Sequence, residues 1–192
     1  MAVLGAGFMA ATFVAKLALW DSSVVGRIIM AFLSLFCSAW LLALGRSWMS
    51  KSWKRPSDDL THVVLGTAVF YWCVLARFME NSSSWHRVAP TVVVWQMLAA
   101  LVFLSVLGRA LSLPDTADSR TLCASGLTVW ALCLCWELPQ LLDTLLRGGV
   151  LARLPDFFFG LGLCCIGVLG GICAVRTTRT ESGWKSARHS VG

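Results

Sequence analysis

The chain has 192 residues, of which 57% are hydrophobic and only 14% are charged, a balance that soluble domains of this size seldom show. Several long apolar runs account for it. The composition therefore predicts an all-α polytopic membrane protein with about five to six hydrophobic helices, a single membrane domain over residues 1–176 and a polar, basic tail over residues 177–192. The net charge of +6 is modest and fits membrane orientation and anionic lipid headgroups better than nucleic acid.

Three apolar stretches occupy the first half of the chain. Residues 2–20 are apolar except for Lys16 and lack the leading positive charge of a secretory signal, so we expect a retained helix that crosses the membrane or lies on its surface. Residues 24–45 carry one charge, Arg27, near their end, where the side chain can reach the headgroups. Residues 60–78 form the third stretch. The second and third are predicted to span the membrane.

Three more apolar stretches follow in the second half. Residues 91–108 contain one strongly polar side chain, Gln96, and residues 122–142 contain Glu137. Residues 157–175 carry no charge at all. That last run is long enough to cross a hydrocarbon core of about 30 Å at about 1.5 Å per residue, and we predict that it forms the final span.

Glycines interrupt the final span at positions 160, 162, 167, 170 and 171. Gly167 and Gly171 are four residues apart and share a face of the helix, and Gly160 lies near the same stripe about two turns earlier. In lipid, small residues let another helix approach closely. We therefore predict that Gly160, Gly167 and Gly171 form a helix-packing face, through which the chain joins a homo- or hetero-oligomer.

Arginine and lysine are concentrated in the connector 46–59, the loop 109–120 and the tail from residue 176, whereas the alternate connectors hold fewer. The positive-inside rule places the first set and the C-terminus on the cytosolic side. If residues 2–20 cross the membrane, the N-terminus is cytosolic too and the spans number six. If those residues lie on the surface, there are five spans or fewer.

Glu137 is the ionisable residue of most interest, because a charge at membrane depth is costly and often functional. One hypothesis is proton or cation coupling in a small transporter or channel subunit. Arg77 and Gln96 are then its candidate intramembrane partners, and all three side chains would face an internal polar cavity.

The other interpretation of Glu137 is a surface position. Residues 136–146 would bend at Pro139 and lie in the membrane interface, with Glu137, Gln140 and Asp143 at helical spacing on one polar face opposite leucines. The amphipathic pattern favours this interpretation, in which Glu137 lies in water.

Motifs that carry enzyme chemistry or hold a metal are not found in the sequence. The eight cysteines lie mostly in apolar runs, with no histidine at zinc-ligand spacing, so we expect them to pack as small apolar residues. No nucleophile elbow, phosphate-binding loop or dinucleotide fingerprint occurs. The sequence predicts no enzyme, no cofactor and no metal. Asn81 begins a glycosylation sequon on the predicted non-cytosolic side, usable if the chain enters the secretory pathway.

The order of features near the C-terminus resembles that of a known family. A Leu- and Asp-containing helix (residues 138–143) is followed by a Gly- and Pro-containing break (residues 148–155) and then by the glycine-rich last span. This order is similar to that of the peroxin-eleven family of peroxisomal membrane-elongation proteins. Weaker similarities lie at residues 13–17, Asp21, Arg27, Ala31, Phe32, Trp40, Phe70, Tyr71, Arg77 and Arg109. One departure is that residues 2–20 are nearly all apolar, where the family has a polar, amphipathic region.

The resemblance implies a non-enzymatic protein that inserts amphipathic helices into the peroxisomal membrane, curves it and recruits fission machinery. Wedge-like helices in one leaflet are a physical route to such curvature. Two alternatives remain open from the residues: the transporter or channel subunit described above, and a small accessory subunit that docks on a larger membrane complex through Gly167 and Gly171.

Overall fold

The computed structural model describes residues 1–18, 24–49, 60–80, 88–112, 119–148 and 154–189. In this part of the chain the elements are helices: α1 (Ala2–Ala18), α2 (Val24–Met49), α3 (Leu60–Glu80), α4 (Val88–Ser112), α5 (Ser119–Val129), a π segment (Trp130–Leu134), α6 (Cys135–Leu146) and α7 (Leu154–His189). Helix α5, the π segment and α6 follow one another without a break and form one rod. The predicted all-α class is confirmed.

Four of these helices are long and apolar enough to cross a membrane. Their apolar parts are Ile28–Arg46, Thr91–Leu111, Ser119–Leu146 and Leu154–Thr178. Two shorter apolar helices, Ala2–Lys16 and Thr61–Ala76, accompany them. The protein is therefore a multi-pass helical membrane protein.

The helices pack in chain order, each against the next, and α7 also packs against α1. The bundle is therefore a closed ring in which α7 has two large partners, α1 and the rod of residues 119–146. Neighbouring helices run antiparallel. In α2 and α3, for example, Met30 lies beside Cys73 while Trp40 lies beside Gly66.

Helix α1, which the sequence predicts to cross the membrane or to lie on its surface, is one member of this ring. Ser38 Oγ donates a hydrogen bond to the Ala6 carbonyl at 2.8 Å, and a methyl group built at Gly45 would come within 2.6 Å of Val3. Met9 is fully buried. Helix α1 therefore lies lengthwise between α2 and α7, antiparallel to α2. Its 17 residues extend for about 25 Å, somewhat less than a hydrocarbon core of about 30 Å.

Large apolar side chains fill the middle of the bundle and also cover its outside. The largest fully buried ones include Phe70, Phe103, Met9, Leu41, Leu104 and Leu163. Phe70 of α3 and Phe159 of α7 meet with ring centroids 6.4 Å apart. On the outside, Val14, Val64 and Trp95 are each at least 60% exposed. An exterior so apolar is suited to lipid.

Helix α7 continues past the apolar part of the last span. It has 36 residues, which correspond to about 54 Å of helix. Residues 177–189 of the predicted polar tail therefore continue the same helix. The loss of hydropathy after residue 176 marks the end of the apolar run but not the end of the helix.

Candidate functional site

The predicted glycine face of α7 packs within the chain, against the rod of residues 119–146. A methyl group built at each glycine would meet a different part of that rod: Leu134 N at 3.3 Å for Gly167, Trp130 Cδ1 at 2.7 Å for Gly171 and Glu137 Oε2 at 3.1 Å for Gly160. Close approach at small residues allows the van der Waals contact that holds helices together in lipid. Oligomerisation through the last helix stays a prediction.

The backbones of these two helices also come close at a glycine pair that the sequence analysis did not single out. A methyl group at Gly126 would lie 2.6 Å from the Gly170 carbonyl oxygen, and one at Gly170 would lie 2.8 Å from the Gly126 carbonyl oxygen. The backbones themselves meet here. The signal that could have found this contact is the pair of small residues Ser125 and Gly126 inside an apolar stretch.

Gln96 of α4 is fully buried and is bonded to the π segment. Its Nε2 donates a hydrogen bond to the Leu132 carbonyl at 3.1 Å, and Cys133 Sγ donates to the Gln96 backbone carbonyl at 3.8 Å. A π segment changes the usual pairing of backbone groups and often marks a functional site. Gln96 therefore fixes α4 to the part of the rod where the helix is irregular.

The structure shows no break in the helix at Pro139, and the bend stays a prediction. Proline removes one backbone donor and its ring crowds the preceding turn, which is why a break was expected. In the structure α6 continues through Pro139 to Leu146. The π segment, Trp130–Leu134, lies directly before α6. Residues 136–146 are thus not a separate helix.

Glu137 is partly buried and lies between helices. Its Oε2 faces the backbone of α7 at Gly160, and its carboxyl interacts with the side-chain amide of Gln96. The interfacial interpretation, with Glu137 in water, is therefore wrong for this residue. The reason is that helical spacing places Glu137 on a polar face but does not show that α4 and α7 cover part of that face.

The other polar residues of α6 do lie on the outside, as predicted. Gln140 and Asp143 are exposed, and Asp143 forms an exposed ion pair with Arg147 at 2.7 Å. Of the three candidate intramembrane polar residues, the structure brings Gln96 and Glu137 together. The side chain of Arg77 lies outside the described residues.

Two buried side-chain atoms in the described part of the chain have no hydrogen-bond partner: Gln96 Oε1 and Trp136 Nε1. A buried acceptor or donor left without a partner costs about 1–3 kcal/mol. Gln96 Oε1 is therefore a buried acceptor without a donor among the described residues. We call Gln96 and Glu137 together the polar site.

The described part of the chain was also searched for groups of side chains that could hold a metal ion. No group of three or more histidine, cysteine, aspartate or glutamate residues lies close enough together to hold a metal ion. The eight cysteines, all in the described part of the chain, form no disulfide, and only Cys135 is exposed.

Comparisons of the chain with protein families, with curated proteins and with solved structures find no match. The resemblance to the peroxin-eleven family stays a prediction from the sequence. The membrane assignment rests on the four long apolar helices.

Proposed function

We propose that the protein is a non-enzymatic, multispan membrane protein that shapes, elongates or divides the membrane it spans, and that this membrane is the peroxisomal one. The observation that carries the proposal is the outer face of α6. No residue of α6 is fully buried, and Leu138, Leu142, Leu145 and Leu146 are exposed, the last by 84%. Exposed Gln140 and Asp143 lie on the same short helix.

An amphipathic surface at the end of a span enlarges one leaflet more than the other. Helix α6 ends at Leu146 with Arg147 as its C-cap, and Gly148 follows with a left-handed φ of 68°, a common way for a helix to stop. Leucines beside polar groups at this end suit the boundary between headgroups and acyl chains, where inserted side chains act as a wedge. The predicted topology puts this end on the non-cytosolic side. Expansion of that leaflet favours the curvature found along the axis of a constriction neck.

The peroxisomal part of the proposal is supported by the order of features rather than by a site. Helix α6, the turn at Gly148 and the glycine-rich α7 follow one another as in the family that the sequence resembles. A second candidate, a small transporter or channel subunit, is favoured by one observation, the contact between Gln96 and Glu137 at the polar site. The accessory-subunit alternative has less support, because Gly167 and Gly171 already pack within the chain.

The test is to localise a tagged copy and to measure organelle shape when it is overexpressed. We expect the tag on peroxisomes and an increase in the number of constrictions and of peroxisomes. Replacing Leu142, Leu145 and Leu146 by alanine should leave location unchanged and abolish most of that increase, because the wedge loses volume but remains apolar. The matched control replaces Leu42, Leu65 and Leu127 by alanine. These leucines are exposed elsewhere on the bundle, and the control variant should act like the wild type.

Two results would count against the proposal. An equal increase in constrictions and in peroxisome number for the triple variant of α6 and for the control variant would remove the wedge as its cause. A tag found on another membrane, with no change in the shape of that membrane, would reject membrane shaping and favour the transporter or channel subunit.

A further inference from the structure

Each of the four apolar spans carries an arginine where it reaches one particular end of the bundle. Arg46 and Arg109 lie in the last turns of α2 and α4, and Arg120 is the second residue of α5. Arg176 lies near the end of the apolar part of α7, Leu154–Thr178. All four side chains are exposed. We call these four residues the arginine belt.

Contacts between α5 and α7 place Arg120 and Arg176 at the same depth in the membrane. Gly126 and Gly170 face each other, since a methyl group built at Gly126 would lie 2.6 Å from the Gly170 carbonyl oxygen. The two helices are antiparallel, and each arginine lies six residues beyond its glycine in the same direction. Both arginines are therefore about 9 Å from this contact along the helix axes.

Arg109 of α4 lies at nearly the same depth as Arg120. Gln96 of α4 donates a hydrogen bond to the Leu132 carbonyl in the rod of residues 119–146. Arg109 is 13 residues from Gln96, and Arg120 is 12 residues from Leu132. Because α4 and the rod are antiparallel, both arginines lie about 18–20 Å from this hydrogen bond, towards the same end.

Helix α3 relates Arg46 of α2 to the same depth. A methyl group built at Gly66 of α3 would lie 2.7 Å from the ring of Trp40 in α2, and one built at Gly108 of α4 would lie 2.6 Å from Val63 in α3. When these two contacts are followed from α2 to α4, Arg46 is within about 5 Å of the depth of Gly108. The four arginines thus surround the bundle at one depth.

The two ends of the bundle differ in charge. Among the side chains that the structure describes, the end with the arginine belt holds no carboxylate. The described charged side chains at the other end are of both signs: Lys16, Glu137, Asp143, Arg147 and Asp156.

The connecting segments at the arginine end do not reverse this difference. Basic residues outnumber acidic ones in 46–59 and in 176–192, and they equal them in 109–120, where Asp115 and Asp118 occur. The sequence therefore makes the whole end basic, although less so between α4 and α5 than elsewhere.

We propose that the arginine belt binds the phosphate groups of anionic phospholipids and so enriches these lipids around the protein, in the leaflet at this end. The apolar parts of the spans lie among the acyl chains, and exposed arginines at their ends reach the headgroups. A guanidinium group offers five N–H donors in a planar fork that fits phosphate oxygens.

The charge of the lipid headgroup decides which phospholipid is favoured. A zwitterionic headgroup carries its own positive group, which compensates the phosphate, whereas an anionic headgroup leaves a net negative charge that attracts arginine. Lipid is the source of phosphate that we infer, because the belt lies where four apolar spans meet the headgroups of the membrane. The partner that fits the belt is therefore an anionic lipid of that leaflet.

The inference does not depend on the membrane-shaping proposal, because the arginine belt lies at the opposite end of the bundle from Leu146, where α6 ends. Its test measures which lipids contact the protein and uses neither organelle shape nor transport. Either proposal can fail while the other stands.

The test uses the intact protein in phosphatidylcholine vesicles that contain a trace of spin-labelled lipid. Electron spin resonance measures the fraction of label that the protein restricts in its motion. We expect labelled phosphatidylglycerol to associate more strongly than labelled phosphatidylcholine, by up to about fivefold, the factor that one arginine near an anionic surface contributes. The preference should weaken as salt is raised from about 0.01 M to about 1 M, because salt screens exposed charges.

Replacing the belt arginines by glutamine assigns the preference to them. Each single variant should lower the ratio of the two association constants, and the variant with all four replacements should bring it close to one. Arg147→Gln is the matched control, since this arginine is exposed at the other end of the bundle, and it should leave the ratio unchanged. Circular dichroism and the number of restricted lipids per protein show whether each variant is folded.

Four results would overturn the proposal. One is equal association of the two labelled lipids with the wild type, and another is a preference that does not respond to salt. A third is a folded fourfold variant with the wild-type ratio, which would assign the preference to residues 47–59 or 177–192 instead. If the fourfold variant does not fold, the single variants decide, and ratios that are no lower than that of Arg147→Gln reject the arginine belt.

Discussion

The effect of replacing a glycine in this bundle depends on which atoms lie opposite it. At Gly126 the atom opposite is a backbone oxygen of α7, which cannot move without moving the helix, whereas at Gly26 nothing lies within 4 Å. Both residues are in helices and have ordinary backbone conformations. The difference between them is therefore purely one of packing.

We predict opposite effects on stability for these two glycines. Gly126→Ala should destabilise the fold by about 1–3 kcal/mol, the usual cost of forcing extra volume into a filled contact. Gly26→Ala should be neutral or stabilising by up to about 1 kcal/mol, because alanine is the better helix former. Unfolding in mixed micelles with increasing dodecyl sulfate, followed by tryptophan fluorescence, compares them. Equal stability of the two variants would mean that α5 and α7 do not approach as closely as described.

A second prediction concerns Gly171 and the indole of Trp130. Gly171→Leu should cost about 1–3 kcal/mol, because the added side chain overlaps the ring. Trp130→Ala should remove much of that cost, since the ring that is in the way is gone, and the double-mutant cycle should show a coupling of about 1 kcal/mol or more. Additive effects would indicate that Gly171 faces lipid or another chain instead.

At the residue scale the sequence predicts more about Gly160, Gly167 and Gly171 than about Glu137. Spacing along one helix is enough to place the three glycines on a common packing face. The partner of Glu137, in contrast, is Gln96 on another helix. The spacing of polar residues in α6 does not show which of them has such a partner. That long-range contact is why the preferred interpretation of Glu137 was wrong.

At the scale of elements, hydropathy locates the helices well and locates their irregularities poorly. The stretch predicted at residues 24–45 is α2 (Val24–Met49), and that at 91–108 is α4 (Val88–Ser112). The sequence predicts a bend at Pro139. In the structure the helix continues through Pro139, after a π segment. The Leu132 carbonyl in the π segment accepts a hydrogen bond from Gln96 of another helix, a contact that the local sequence does not predict.

The packing of α1 between α2 and α7 leads to a third prediction. Met9→Ala should destabilise the protein by about 1–3 kcal/mol. This is below the cost of about 2–5 kcal/mol in water-soluble cores, because helices that separate in lipid stay in hydrocarbon. Val14→Ala, at a side chain that is 61% exposed on the same helix, should change stability by less than about 0.5 kcal/mol. The same unfolding titration in micelles measures both, and a silent Met9→Ala would place α1 outside the bundle.

At the scale of the whole molecule, antiparallel packing and a closed ring have one consequence for topology. Helices that alternate in direction place every second connection on the same side of the membrane. The connector 46–59, the loop near residue 115 and the C-terminal end of α7 then share a side, as the distribution of arginine and lysine also predicts. Because α1 is a member of the ring and runs antiparallel to α2, its N-terminal end belongs to that side too.

The most direct test of this account maps the two faces of the membrane in one experiment. Single cysteines at Ser50, Ser83 and Ser190, and a tag before Met1, are probed with impermeant reagents in intact cells and in permeabilised ones, against the parent chain as background. The account predicts that the tag, Ser50 and Ser190 react only from the cytosolic side and Ser83 only from the other. A tag and a Ser190 probe that react from opposite sides would mean an odd number of crossings, and would contradict a ring closed by α1 against α7.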